Sequence, residues 1–192
     1  MRVSCGEFKR LIKKGRGNRP LLPAYGGITV LYLIVCTAIV ILDQWFKGWV
    51  VANIELGTWK AFLPGILRLT HARNHGAAFS ILQNMRWLFV VITAAFVITV
   101  VWAYLKKRVT YPLGLWSLTA LTAGAIGNFI DRLRYGYVVD MFETEFMNFA
   151  VFNIADCFIT VGGILFCIYL LFFYEKKEPG ALSKRDEDDE ID

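Results

Sequence analysis

The chain has 192 residues, of which 56% are hydrophobic and 15% aromatic, and its mean hydropathy is +0.48. That is too apolar for an ordinary soluble domain and fits a single-domain integral membrane protein. The net charge of +5 does not point to nucleic acid, because the basic residues sit beside apolar runs rather than on an interleaved basic and aromatic surface.

The chain opens on a basic segment, 1–27, with Arg2, Lys9, Arg10, Lys13, Lys14, Arg16 and Arg19 against Glu7 alone. Four windows without a charged residue follow: Ile28–Leu42, Trp87–Leu105, Leu113–Ile130 and Cys157–Tyr174. A helix needs about 20 mostly apolar residues to cross a bilayer. With their flanks the windows become spans over about 28–49, 87–105, 113–132 and 153–174. The expected fold is an all-α membrane protein of four transmembrane helices, residues 28–175, with a small β-like extracytoplasmic subdomain. The first span is too long for a signal-peptide core, and no small-residue cleavage site follows it.

Between spans one and two, a long loop over 50–86 contains Gly57, Pro64, Gly65 and the alternating Ile66-Leu67-Arg68-Leu69-Thr70, a strand-like pattern. Lys106, Lys107 and Arg108 fill the link between spans two and three, and Lys176 and Lys177 follow span four. Positive charge concentrates on the cytoplasmic side, so both termini are expected there and both long loops outside. The second long loop, 133–152, is rich in Tyr and Phe. The acidic tail, 176–192, reads as a disordered cytoplasmic segment. Cys5, Cys36, Cys157 and Cys167 are scattered, so neither a disulfide nor a metal site is expected, and no cofactor.

Charged and amide side chains in such a chain mark function by default. Asp43 and Lys47 share a helical face and either pair with each other or orient a site. Asn128, Asp131 and Arg132 form one face at the end of span three, with Arg132 expected to neutralise Asp131 or Asp43. Gly124 and Gly127 precede them and allow close approach. Asn153 and Asp156 fit an N-cap and an acid in the first helical turn. Asp140 is expected in a loop, and a short aromatic segment joins it to Asp156. Asn74-His75-Gly76-Ala77-Ala78-Phe79 reads as a tight loop in which Gly76 leaves room for a peptide backbone. His71 and His75 are expected at the surface.

Two acids in a partly dry pocket can share a proton and activate water. The helix start favours charge on Asp156, leaving Asp140 as the protonated partner. The same carboxylates would also suit a proton-coupled carrier, although carriers usually show repeats and none is evident here. A non-catalytic assembly factor is a further alternative.

Taken in order, Asp43/Lys47, Asn74-His75-Gly76-Ala77-Ala78-Phe79, Gly127-Asn128-Phe129-Ile130-Asp131-Arg132, Gly136-Tyr137-Val138-Val139-Asp140 and Phe152-Asn153-Ile154-Ala155-Asp156 resemble the bacterial lipoprotein signal peptidase (signal peptidase II) family. The resemblance spans roughly residues 28–175. It implies an inner-membrane aspartyl endopeptidase that removes the signal peptide of prolipoproteins, cutting before a diacylglyceryl-modified cysteine. Asp140 and Asp156 match the catalytic pair. Asp43, Lys47, Asn74, Asn128, Asp131, Arg132 and Asn153 match its polar shell, with Gly76 and Ala155 inside the same motifs. Lipid-modified prolipoproteins, membrane lipids and globomycin-type inhibitors are the implied partners, and a monomer is expected. The basic N-terminal segment and the acidic tail look longer than the family core requires.

Overall fold

The computed structural model describes residues 25–76 and 82–174, with side chains described from Thr29 onward. The segments 1–24 and 175–192, and with them the basic and acidic extensions, lie outside the described residues, as do Ala77, Ala78 and Phe79.

Four helices carry the chain: α1 (Tyr25–Asn53), α2 (Arg86–Leu105), α3 (Pro112–Tyr135) and α4 (Ile154–Phe172). All four are long and apolar enough to cross a membrane. Their outward faces carry exposed Val30, Leu33, Ile34, Ile41, Val91, Ile98, Ile164 and Leu171. In water such surface would be a liability; against lipid tails it is the matching solvent. Pro112 opens α3 at a position whose amide has no helical partner. Gly136 closes it with φ 82°, the left-handed cap that glycine adopts without a Cβ penalty.

Three strands, β1 (Trp59–Leu63), β2 (Leu67–Asn74) and β3 (Val138–Thr144), pair antiparallel in the order β1-β2-β3. The first two come from the loop whose alternation suggested strands. The third comes from the second long loop and places Asp140 opposite Ala72. Asp140 therefore sits in a strand, correcting the expected loop: two segments far apart in sequence satisfy each other's backbone groups. The sheet lies at the bundle end where α1 and α3 finish and α2 and α4 begin. Val50 and Ile54 of α1 pack on Leu69, Val139 and Met141 of the sheet, joining it to the helices.

Helices α3 and α4 approach closely. A Cβ on Gly124 would collide with the Ala155 carbonyl, and one on Gly127 would lie 2.6 Å from Asp43 Oδ2. Side-chain-free positions are what allow membrane helices to pack backbone to backbone. By contrast, α2 has no buried residue. It is fixed near its ends, where Arg86 donates to the Leu133 carbonyl at 2.7 Å and Tyr104 donates to Thr29 Oγ1 at 3.2 Å.

Candidate active site

Lys47 stands between two carboxylates, one on its own helix and one on α3. Its Nζ lies 2.9 Å from Asp43 Oδ2 and 3.0 Å from Asp131 Oδ2 and donates to Asn128 Oδ1 at 2.9 Å. All three ammonium protons are used, as burial demands: Asp43, Lys47 and Asp131 are between 1% and 3% exposed, and an unpaired charge there would cost several kcal/mol. The Asp43–Lys47 pair is thus part of a wider network. Lys47, not Arg132, is the cation set between Asp43 and Asp131.

These two carboxylates also hold main chain. Asp43 Oδ1 accepts from the Ala155 amide at 3.0 Å, and Asp131 Oδ2 accepts from the Val139 amide at 3.0 Å. Ala155 precedes Asp156 and Val139 precedes Asp140. Each candidate catalytic acid is therefore preceded by a peptide group pinned by a buried carboxylate, and Lys47 binds the two pins together. Gln44 reinforces them, its Nε2 lying 2.9 Å from Asp131 Oδ1, 3.1 Å from the Gly127 carbonyl and 3.2 Å from Asp43 Oδ2. Gln44 is a functional residue that the sequence motifs do not mark. A neutral amide next to Asp43 in an apolar span was the available signal.

Three asparagines surround Asp140 and Asp156, and each has its amide orientation set by a group that can only donate. Lys47 makes the Asn128 oxygen an acceptor, so Asn128 Nδ2 turns to Asp156 Oδ1 at 2.8 Å. The Asp156 amide donates to Asn153 Oδ1 at 3.0 Å, so Asn153 Nδ2 turns to Asp140 Oδ1 at 2.6 Å. The Gly76 amide donates to Asn74 Oδ1 at 2.9 Å, so Asn74 Nδ2 turns to Asp140 Oδ2 at 3.0 Å. The Asn153 amide completes the set, donating to Asp156 Oδ2 at 3.1 Å. Asn153 and Asp156 thus form a reciprocal capping box at the start of α4, but Asp156 also reaches Asn128 across the helix interface. Asn153 touches both acids and links them.

Every carboxylate oxygen of the pair accepts one N–H, and those donors favour the charged form. Burial opposes them. At Asp140 burial dominates, the charge of Asp156 adds to it, and the pKa is pushed up from 3.8 to about 7. Asp156 is only half-buried, so the pair is open on one side. A cleft of about 410 Å³ reaches the pair at Asp140, lined also by Ala72, Asn74, Asn148, Ala150 and Val151 among others.

Arg132 donates to the Gly76 carbonyl at 2.9 Å and lies 4.6 Å from the Phe89 ring centre. It therefore bridges α3, the bend after β2 and α2. His71 is buried, at 4% exposure, correcting the expected surface position. Its Nδ1 is 2.9 Å from the Ile54 carbonyl, because the sheet folds back over the end of α1. His75 is exposed and packs against Tyr137. Among the described residues no three His, Cys, Asp or Glu side chains gather as a metal ion would require.

The sequence pattern of the Signal peptidase (SPase) II family matches residues 35–172. The chain belongs to the signal peptidase II family. A lipoprotein signal peptidase of Streptococcus agalactiae serotype Ia is 48% identical over 149 residues, covering 77% of this chain and 94% of that protein. The Enterococcus faecalis protein of the same name is 49% identical over 149 residues, covering 75% and 89%. A bacterial membrane enzyme solved by the in meso method at 2.3 Å superposes with a TM-score of 0.72 at 34% identity, covering 78% of this chain and 92% of that one. The signal peptidase II match contains every residue of the network above.

Proposed function

We propose that this protease is an aspartyl endopeptidase that removes signal peptides from prolipoproteins, cutting before the lipid-modified cysteine with Asp140 and Asp156 as its catalytic pair. The observation that carries this reading is the meeting of two carboxylates through Asn153, with every oxygen held by a donor of fixed polarity. General-base chemistry at one acid and hydrogen-bond donation from the other follow from their unequal surroundings. Asp156, at the start of α4, is charged and takes a proton from water. The water oxygen attacks the scissile carbonyl carbon. Asp140, whose proton affinity burial raises, donates to the carbonyl oxygen as negative charge develops there. Collapse breaks the C–N bond, the proton taken up by Asp156 passes to the departing amine, and Asp140 keeps its own, so both acids return to their starting states.

Asp43, Lys47, Asp131, Asn74, Asn128 and Asn153 are positioning residues in this reading, because they act through the two acids. Arg132, Gly76 and Ala155 shape the backbone around them. The pair lies at the bundle end opposite the basic turn of Lys106, Lys107 and Arg108, which supports an extracytoplasmic site. A substrate anchored by an apolar signal helix would reach that depth by diffusion in the bilayer, its lipid chains remaining among membrane lipids. We read the protein as acting as a monomer, and globomycin-type inhibitors would compete at the same acids. Asp140→Asn and Asp156→Asn should each leave an inserted protein that accumulates uncut prolipoprotein. Processing at the wild-type rate by either variant would refute the assignment.

A further inference from the structure

The cleft beside Asp140 has a feature that the catalytic pair does not use. Its wall includes residues 148–151, which run back toward β3 before the single bridge between Phe142 and Phe152. Phe152 exchanges hydrogen bonds with Phe142, at 3.1 Å and 2.8 Å. Ala150 and Val151, immediately before it, are half-buried. Among the described residues their peptide groups make no hydrogen bond with the rest of the protein. Peptide groups in a part-buried site are ordinarily paired, and an extended chain segment with free N–H and C=O groups is a template for another strand.

The other walls fit an extended peptide. Ala72 and Ala150 are small, Asn74 and Asn148 are neutral and polar, and the bulkier Arg73 and Phe149 are exposed, with Arg73 lying over the Tyr137 ring. The cleft begins at Asp140 and lies on the sheet side, away from the spans. A substrate whose signal helix occupies the bilayer must leave its newly freed N-terminal portion on that side.

Resting on the catalytic reading above, we propose that this cleft is the subsite for the first residues after the scissile bond, and that it holds them as an extended strand on the backbone of Ala150 and Val151. Recognition through main chain makes few demands on side chains there beyond modest size. The enzyme can therefore accept mature sequences of many kinds while fixing the scissile bond against the two acids.

The test uses the full chain in detergent and synthetic prolipopeptides carrying a diacylglyceryl cysteine. One peptide ends at that cysteine as an amide, one extends four residues beyond it, and the others carry a single N-methyl group on successive mature-side amides. One net hydrogen bond contributes about 0.5–1.5 kcal/mol, so losing one should raise KM about 2- to 12-fold. The truncated peptide and one or two of the N-methylated peptides should show that increase. Val151→Pro, which removes one donor, should raise KM more for the extended peptide than for the truncated one, and its effect should not add to that of the critical N-methyl group. Equal KM for all the wild-type reactions overturns the subsite, and that comparison stands even where Val151→Pro does not insert. Loss of cleavage for every peptide would instead count against the catalytic reading itself.

Discussion

Asp140→Asn should affect stability with opposite signs at high and low pH. Asp140 is 2% exposed, and burial, reinforced by Asp156, moves its pKa from 3.8 to about 7. The folded protein thus holds this proton more tightly than the unfolded chain. The linked stability is fully present below about pH 3.8 and is lost as pH rises toward about 7. At 1.36 kcal/mol per unit, the shift amounts to on the order of 4 kcal/mol above neutrality. The amide variant escapes that charge cost but gains another. Both oxygens of Asp140 face N–H donors, from Asn153 and Asn74, so the new NH₂ must meet one of them. An unmade buried hydrogen bond costs about 1–3 kcal/mol at every pH. At about pH 8 the variant should therefore be the more stable by about 1–3 kcal/mol, or roughly 2–10 °C in Tm. Near pH 4.5 the advantage should vanish or reverse. Thermal unfolding of both proteins in the same detergent, followed by tryptophan fluorescence, measures this directly. A Tm difference that stays constant between the two pH values refutes a raised proton affinity at Asp140.

Gln44→Ala strips one donor from both pinned carboxylates and should cost about 1–3 kcal/mol of stability; it should also lower kcat with little change in KM, and unaltered kcat would remove Gln44 from the positioning network. Gly127→Ala would place a methyl group 2.6 Å from Asp43 Oδ2 and 3.3 Å from Ala155 Cβ. Despite alanine's better helix propensity it should destabilise by about 1–3 kcal/mol, so an unchanged or higher Tm would contradict the close approach of α3. In a cysteine-free background, Phe146→Cys should react with an impermeant thiol reagent in intact cells and Lys107→Cys should not. The opposite pattern would invert the proposed orientation.

The helices were legible because a bilayer imposes a length and a composition that few other environments demand, and charge-free windows report both. The cap at Asn153 and the first-turn acid Asp156 were legible because caps are local, and their reciprocal hydrogen bonds, three residues apart, came with the structure. Asp140 was misread as a loop residue because its strand exists only by pairing with β2, a segment distant in sequence. The role of Arg132 was misjudged for a related reason. Proximity to Asp131 along the helix suggested pairing, yet the place between the acids is filled by Lys47 reaching across from α1, and Arg132 turns to the Gly76 carbonyl and Phe89. Gln44 was missed because an uncharged amide announces nothing until its acceptors, on another helix, are known. Pairings that cross between elements are set by packing, which one sequence read alone does not reveal.

Helix α2 has a different consequence, for the history of the chain. With no fully buried residue, it meets lipid alone at the exposed Val91, Ile92, Ile98 and Val101, and exchanges among leucine, isoleucine, valine and phenylalanine at those positions leave the rest of the molecule untouched. Selection grips it more firmly along its half-buried side, at Ala94, Phe96 and Val97, and near its ends, at Arg86 and Phe89 beside α3 and at Tyr104 against α1. Among descendants of a common ancestor this stretch should therefore drift fastest while keeping its hydropathy. Lineages whose bilayers differ in thickness could lengthen or shorten it without disturbing the acids.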